Sequence, residues 1–462
     1  MPSTLGIVAS GEDVLNDAVF WVDAGRSSVS GGALTNLGTG GSALNAVFGN
    51  TTGVDSFDPA LLSHSGTNYL YLPGGTGNLF SVPSSVAFNA ISGDIELVVR
   101  VALDDWTPAT TQGVLERDSG DPNRAWHFRV DTTGKLSFRW FPTGSAASSI
   151  LASSSIVAPF TDGTTYWVKA TLDVDNGAGG WTVQFFYASD QSTEPSTWTK
   201  IGADVTGAGV TSLPSVSANL TNGNAAGMQI GKSYRAIVRN GIGGTTVFDA
   251  DFTTGITSGG QTTFTESSAN AATVTINRAT SGRKSVAVVR PILLFGTDDY
   301  LETADSDLLD FGASDSFTVV AVVRQWATPA NSGRIISKAG QGVIAGWHVV
   351  NNSTTLTPLV AIGDGTNQAG RNPTALTAGA LTATGMIVNR SAQTLTGFSN
   401  TSFTVTTSTS AVGNLSNTDF VRIGRTGQGA LTNYADMELV AAAVWRRALN
   451  ANEIATIVNR YP

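Results

Sequence analysis

The chain contains no cysteine in its 462 residues, which excludes disulfides, thiolate metal sites and cysteine nucleophiles together. Charge is scarce as well: Asp, Glu, Lys and Arg make up 13% of the chain, about half the usual share. The balance is acidic, with a formal net charge of -9, so the basic face that displaces counterions from nucleic acid is not expected. A polybasic membrane surface is excluded on the same ground. No apolar run approaches the roughly 20 residues needed to cross a bilayer, and membrane insertion is not expected. The opening Met1-Pro2-Ser3-Thr4-Leu5-Gly6 has no basic residue before Arg26 and no continuous apolar stretch, so it does not read as a secretory leader. Histidine is limited to His64, His127 and His348, which leaves few candidates for imidazole catalysis or metal binding.

What is present points to a packed, strand-rich chain. Ten Trp and twenty Phe supply more buriable surface than a disordered polymer carries, and 52 Gly with abundant Ser and Thr predict many turns and a neutral surface of hydroxyls and amides. The sequence repeats itself. Asp94 to Arg100 falls on Asp315 to Ala321, and the same shift carries Trp126-His127 onto Trp347-His348. Val19-Phe20-Trp21-Val22-Asp23 is similar to Val247-Phe248-Asp249-Ala250-Asp251, and Gln229-Ile230-Gly231-Lys232 to Arg422-Ile423-Gly424-Arg425. The second copy is trimmed in the stretch matching residues 173–224. These matches predict two domains, 1–242 and 243–462, with the boundary at Gly241 to Gly244.

Within each copy the periodicity favours strands. Tyr166 to Leu172 and Trp181 to Tyr187 are β-branched and aromatic runs separated by Asp175-Asn176-Gly177, a hairpin turn signal. The expected class is all-β: two tandem antiparallel β-sandwich domains, jelly rolls in form, with a short C-terminal helix. Asn450 caps that helix, Glu453 completes a capping box, and Ile454, Ile457, Val458 and Tyr461 form its apolar face.

Several segments invite a family comparison: Phe295-Gly296-Thr297-Asp298-Asp299-Tyr300-Leu301, Ser316-Phe317-Thr318-Val319-Val320 and Arg447-Ala448-Leu449-Asn450-Ala451-Asn452-Glu453-Ile454. They resemble laminin-G-like, concanavalin-A-like jelly rolls, in two copies over nearly the whole chain. An aspartate that the family places before the first glycine is missing. Asp173 to Trp181, Asp251-Phe252-Thr253-Thr254 and Phe264 to Val274 further resemble minor tail proteins of long-tailed phages that infect actinobacteria. That resemblance implies a virion protein of the tail tip or fibre region, made in the host cytoplasm without a signal peptide. It also implies other tail proteins as partners, a homo-oligomer such as a trimer, and contact with host cell-wall glycan. An excess of 20 Arg over 6 Lys is compatible with such a source.

Chemistry-bearing motifs are sparse. Gly227 to Ser233 has three residues between its glycines where a phosphate-binding loop needs four, and its counterpart lacks Lys-Ser. Asp173, Asp175 and Asn176 alternate oxygens as a calcium loop does, but the bidentate Glu of that loop is absent and a hairpin turn uses the same residues. Calcium there is the one cofactor to be weighed, with none expected otherwise. Asp298 and Asp299 read as a turn. The repeated Trp-His pair reads as a core Trp beside an outward or hydrogen-bonded His. No Gly-x-Ser-x-Gly elbow or His-Glu-x-x-His helix is present. The carboxylates nearest to a glycosidase pattern are Asp94 with Glu96 and Asp436 with Glu438, each lacking a third acid. A non-catalytic protein is therefore expected, with a jelly-roll carbohydrate hydrolase or a bacterial surface lectin as alternatives. Trp181, Trp198 and Tyr187 are the candidate sugar-stacking residues, since a flat apolar ring matches the C–H face of a pyranose, although their strand-like positions favour core packing.

Overall fold

The computed structural model describes residues 11–223, 227–328, 332–340, 345–352, 354–404, 407–426 and 433–462. Antiparallel strands dominate it and fall, in chain order, into four blocks. A front segment holds β1 (Phe20–Asp23), β2 (Val29–Ser30), β3 (Ala33–Leu34), β4 (Ala46–Phe48) and β5 (Ala60–Leu62). The first body follows with β6 (Tyr69–Pro73), β7 (Leu79–Val82), β8 (Ile95–Leu103), β9 (Gln112–Asp118), β10 (Arg124–Val130), β11 (Leu136–Trp140) and β12 (Ile150–Ser153). It continues with β13 (Tyr166–Asp173), β14 (Gly180–Ser189), β15 (Thr199–Lys200), β16 (Val205–Ala208), β17 (Leu220–Thr221) and β18 (Ile230–Asn240). A second front segment holds β19 (Thr245–Asp251), β20 (Thr263–Thr265), β21 (Thr273–Asn277) and β22 (Val286–Val288). The second body opens with β23 (Ile292–Leu294), β24 (Leu301–Thr303), β25 (Phe317–Arg324), β26 (Arg334–Ala339), β27 (Ala345–Asn351), β28 (Pro358–Asp364) and β29 (Gln368–Arg371). It closes with β30 (Leu381–Asn389), β31 (Thr394–Ser399), β32 (Ser402–Phe403), β33 (Thr407–Ser408), β34 (Val421–Ile423), β35 (Glu438–Trp445) and the terminal helix Ala451–Arg460.

The two bodies have the same topology. In the first, one sheet runs β15-β14-β13-β8-β18-β6-β22 and the other β12-β11-β10-β9-β17-β7-β21-β20. In the second, the orders are β32-β31-β30-β25-β35-β23-β5 and β29-β28-β27-β26-β34-β24-β4-β3-β2. β19 adds to β18 just as β1 adds to β35. Each body is thus completed by the front segment of the other repeat. β1 pairs β35 with Phe20 opposite Val444, β4 pairs β24, and β5 pairs β23. β19, β21 and β22 complete the first body in the same three places.

This reciprocal exchange corrects the expected division at 1–242 and 243–462. The chain instead forms an inserted unit, Ser65–Thr280 with Lys284–Val289, and a split unit, Met1–His64 with Ser281–Arg283 and Arg290–Pro462. The repeats in the sequence are real, but they are not the compact units. The predicted boundary is the tight hairpin between β18 and β19, where Asn240 lies opposite Thr245. Gly241 and Gly243 take positive φ of 90° and 64°, and a Cβ on Gly244 would lie 2.1 Å from the Asn240 carbonyl oxygen.

Each unit is a sandwich over one continuous core. In the inserted unit, Leu97, Val99 and Val101 of β8 with Val168, Ala170 and Leu172 of β13 share a cluster with Trp126, Phe128, Phe138 and Trp140 of the opposite sheet. In the split unit, Val319, Ala321 and Val323 of β25 share one with Ile336, Trp347, Val349 and Ile362. Trp126 and Trp347 occupy equivalent sites on β10 and β27 and are buried, each fully buried large side chain contributing roughly 1.5–3 kcal/mol. The terminal helix has the expected capping box at Asn450 and Glu453, with Ile454 and Ile457 buried.

The exchange makes the inserted unit contiguous in sequence. A fragment of residues 65–289 should therefore fold alone and melt cooperatively by circular dichroism and calorimetry. Residues 1–242, cut at the sequence repeat, should leave the β18 edge bare of β19 and melt broadly or aggregate. Equal folding of the two fragments would contradict the exchange.

Candidate functional site

Directly opposed residues of paired strands share a face, and the register of the second sheet of the inserted unit lines up one residue from each strand. The row runs Thr263, Thr275, Ser81, Thr221, Glu116, His127, Arg139 and Leu151. Residues one step along, such as Leu115, Phe128, Phe138 and Ala152, point into the core, so the row faces outward. One end of it presents hydroxyls; toward the other, Glu116 and His127 are buried, Arg139 is half-buried and Leu151 is exposed.

The charged end is a network around β9, β10 and β11. His127 Nε2 lies 2.7 Å from Asp118 Oδ2, and Arg124 Nη1 donates to the same oxygen at 2.7 Å. Arg124 Nε donates to Asp121 at 2.6 Å, and Arg129 Nε to Glu116. Arg139 Nη2 donates to Ser149 Oγ at 2.9 Å. Phe141 is the hub: Arg139 and Arg124 lie over its ring at 5.0 and 5.7 Å, and the His127 ring meets it edge-on at 5.0 Å. Glu116 and His127 are buried, whereas Arg124, Arg129 and Arg139 are half-buried and carry the network to solvent.

Burial works to raise the Asp118 carboxyl, but hydrogen bonds from His127 and the Gly120 N–H, with the charges of His127 and Arg124, hold it below the usual carboxylate range. Burial lowers the Arg139 guanidinium, and the charges of Arg129 and Arg124 lower it further. A guanidinium crowded by two others in this way favours a hydrogen-bond acceptor or an anion. Glu116 engages Arg129 through one oxygen while the other is buried without a partner among the described residues, and His127 contacts an aspartate rather than a hydroxyl.

Glu116 and Asp118 belong to this candidate site without being among the residues that sequence pattern singles out. Glu116-Arg117-Asp118 places two carboxylates on one strand face at i and i+2, and Asp121 follows three residues on. Only the first two lie on β9, since the strand ends at Asp118.

The expected sugar-stacking residues are not brought together. Trp181 and Tyr187 are on the core side of β14: Trp181 is 9% exposed and edge-on to Trp140 at 4.9 Å, and Tyr187 packs on Phe160 at 5.7 Å. Trp198 is on the opposite side of that sheet, half-buried against Trp167 and Ile237, with the Lys169 ammonium 4.5 Å from its ring centre. Asp173, Asp175 and Asn176 form the turn. Asp173 Oδ1 accepts from the Asp175 N–H at 3.1 Å, and Asn176 Oδ1 from the Ala178 and Gly180 N–H groups at 3.0 and 3.2 Å. Among the described residues no group of three His, Asp or Glu side chains is gathered as for a metal. Glu96 pairs with Arg239 at 2.5 Å, and Glu438 pairs with Arg324. Asp299, expected in a solvated turn, is fully buried and paired with Arg283 at 2.7 Å.

The repeated histidine shows how far the two units differ. His348 occupies the place of His127, but its row neighbours are Ser337 and Ala361 in place of Glu116 and Arg139. Arg334 Nη1 lies 3.0 Å from His348 Nδ1, a geometry that needs a neutral, accepting imidazole. Burial first, and the Arg334 charge second, hold His348 well below its ordinary pKa.

No protein-family model matches the chain, and curated proteins include no similar sequence. Solved structures match parts of it. The binding domain of Paraclostridial Mosquitocidal Protein 1 is 12% identical with a TM-score of 0.31, over 44% of this chain and 51% of that one. The chain thus spans about half the length of that domain. The CBM40 of the Ruminococcus gnavus IT-sialidase, bound to α2,3-sialyllactose, is 15% identical with a TM-score of 0.27, over 31% of this chain and 82% of that one. A heptameric SAP-like pentraxin from Limulus polyphemus is 10% identical with a TM-score of 0.25, over 38% and 77%. These likenesses are too partial to bear on the site, which stands on its own geometry.

The state of His348 sets a pH dependence. Its folded pKa is depressed, so between that value and the unfolded value near 6.5 the unfolded chain binds more protons and stability falls as pH falls. Melting of the full chain should lose stability from pH 7 to pH 5 with a slope approaching about 1.4 kcal/mol per pH unit. In His348→Gln the slope over that window should flatten; an unchanged slope would contradict a buried neutral imidazole.

Proposed function

We propose that this chain is a non-catalytic structural protein of a phage tail, in the tip or fibre region, and that the inserted unit contacts host cell-wall glycan. The observation that carries the glycan contact is the outward row across the second sheet, from Thr263 through Arg139. Sugar hydroxyls both donate and accept, and Thr and Ser hydroxyls beside the Arg129 and Arg139 guanidinium donors can satisfy both at once. The tail assignment is supported by the sequence resemblance and by the lack of cysteine, which suits assembly in a reducing cytoplasm. Other tail proteins are the proposed partners. Copies would associate about a closed symmetry axis such as a threefold, because closure satisfies every interface. Hydrolysis is the competing reading, favoured by the Glu116 and Asp118 pair alone. Their engagement by Arg129, Arg124 and His127 supports positioning over proton transfer.

Binding of the full chain to actinobacterial cell-wall polysaccharide tests this reading. The Arg129→Ala, Arg139→Ala double variant should weaken binding at least about tenfold, since it removes two charge-assisted donors worth roughly 1.5 kcal/mol or more each. No new reducing ends should appear on incubation. Turnover abolished by Glu116→Gln would favour the hydrolase, and binding unaffected by the arginine changes would remove the proposed face. Antibodies to the chain should label tail tips or fibres on phage particles; label confined to other locations would overturn the tail assignment.

A further inference from the structure

A second concentration of arginine lies in the split unit, in a chain whose net charge is -9. Arg26 follows β1, Arg290 precedes β23, and Arg460 ends the terminal helix, yet all three line one open cleft of about 370 Å³. Asp23, Gly25, Pro291, Val440 and Tyr461 complete the lining. That volume is at the lower end of small-molecule sites, about 300–1,000 Å³.

The cleft's one carboxylate is held by its own surroundings. Asp23 Oδ1 accepts from the Gly25 N–H at 2.8 Å and Oδ2 from the Tyr461 hydroxyl at 2.8 Å. Burial, then the Asp23 charge, push the Tyr461 phenol above its ordinary pKa, so it stays a donor. Arg290 is half-buried. It donates to a main-chain oxygen of Pro462, the last residue of the chain, and its buried Nε has no hydrogen-bond partner among the described residues. Burial first, and the Arg324 charge second, lower its pKa. Burying a cation is costly, and an anion at the guanidinium groups that line the cleft offsets that cost. Arg26 and Arg460 flank the Trp21 ring at 6.0 and 5.7 Å. Pro291 and Val440 add an apolar floor beside the charge.

We propose that this cleft binds an acidic saccharide unit, its carboxylate or phosphate on Arg290 and Arg26 and its carbon face on Pro291 and Val440. The site is separate from the polar row of the inserted unit and does not depend on the tail assignment.

Calorimetric titration of the full chain at low salt tests it, with glucuronate, glucose 1-phosphate, glucose and inorganic phosphate as probes. At least one acidic sugar should bind, and glucose should bind at least tenfold more weakly. Arg290→Gln should weaken acidic-sugar binding at least tenfold. The exposed Arg26→Gln, which leaves the Pro462 contact intact, should weaken it at least threefold. In the Arg139→Ala chain, Arg290→Gln should still weaken acidic-sugar binding at least tenfold, which separates this site from the proposed glycan face. Absence of acidic-sugar binding, or binding indifferent to both arginine changes, would overturn the proposal. Inorganic phosphate binding as tightly as glucose 1-phosphate would overturn the saccharide assignment.

Discussion

Between Asn240 and Thr245 the chain reverses in four residues, and the left-handed backbone of Gly241 and Gly243 allows β19 to turn straight back along β18. So short a connection permits only an antiparallel neighbour. With β19 fixed there, β21 and β22 take the adjoining places on β7 and β6, and the first body is complete. The front segment at the start of the chain then has no vacancy in its own repeat. It completes the second body, where β35, β24 and β23 present the matching edges. The exchange thus follows from one tight turn and from the need of every sheet edge for a partner.

Equivalent scaffolds carry different outward faces. The core positions of the two units keep their character, as Trp126 and Trp347 show, because packing constrains them. The opposite faces are free to diverge. Glu116, Arg129 and Arg139 in the inserted unit stand where the split unit has Ser337, Val350 and Ala361. The arginine-lined cleft near Arg290 occurs instead in the split unit.

Local structure was legible in the sequence because it rests on local physics. The runs at Tyr166 and Trp181, the turn at Asp175-Asn176-Gly177 and the cap at Asn450 all stand where periodicity and turn chemistry put them. The parity of β14 was also available: Trp181 shares its face with Val183 and Phe185, so its place in the core follows from alternation alone. Two features were not legible. Two similar front segments fit either body, so similarity could not say which copy each would complete. The row through Glu116, His127 and Arg139 joins residues from separate strands, and it exists only once register is fixed.

Because the chain has no native cysteine, engineered pairs can report strand neighbours without interference. Val47 of β4 lies opposite Glu302 of β24, whereas an unexchanged fold would set it opposite Ser81 of β7, the topological equivalent of Glu302. Mild oxidation of the Val47→Cys, Glu302→Cys chain, followed by peptide mapping, should give an intramolecular disulfide in high yield. The Val47→Cys, Ser81→Cys chain should give none. Cross-linking of the second pair, with the first remaining reduced, would contradict the exchange.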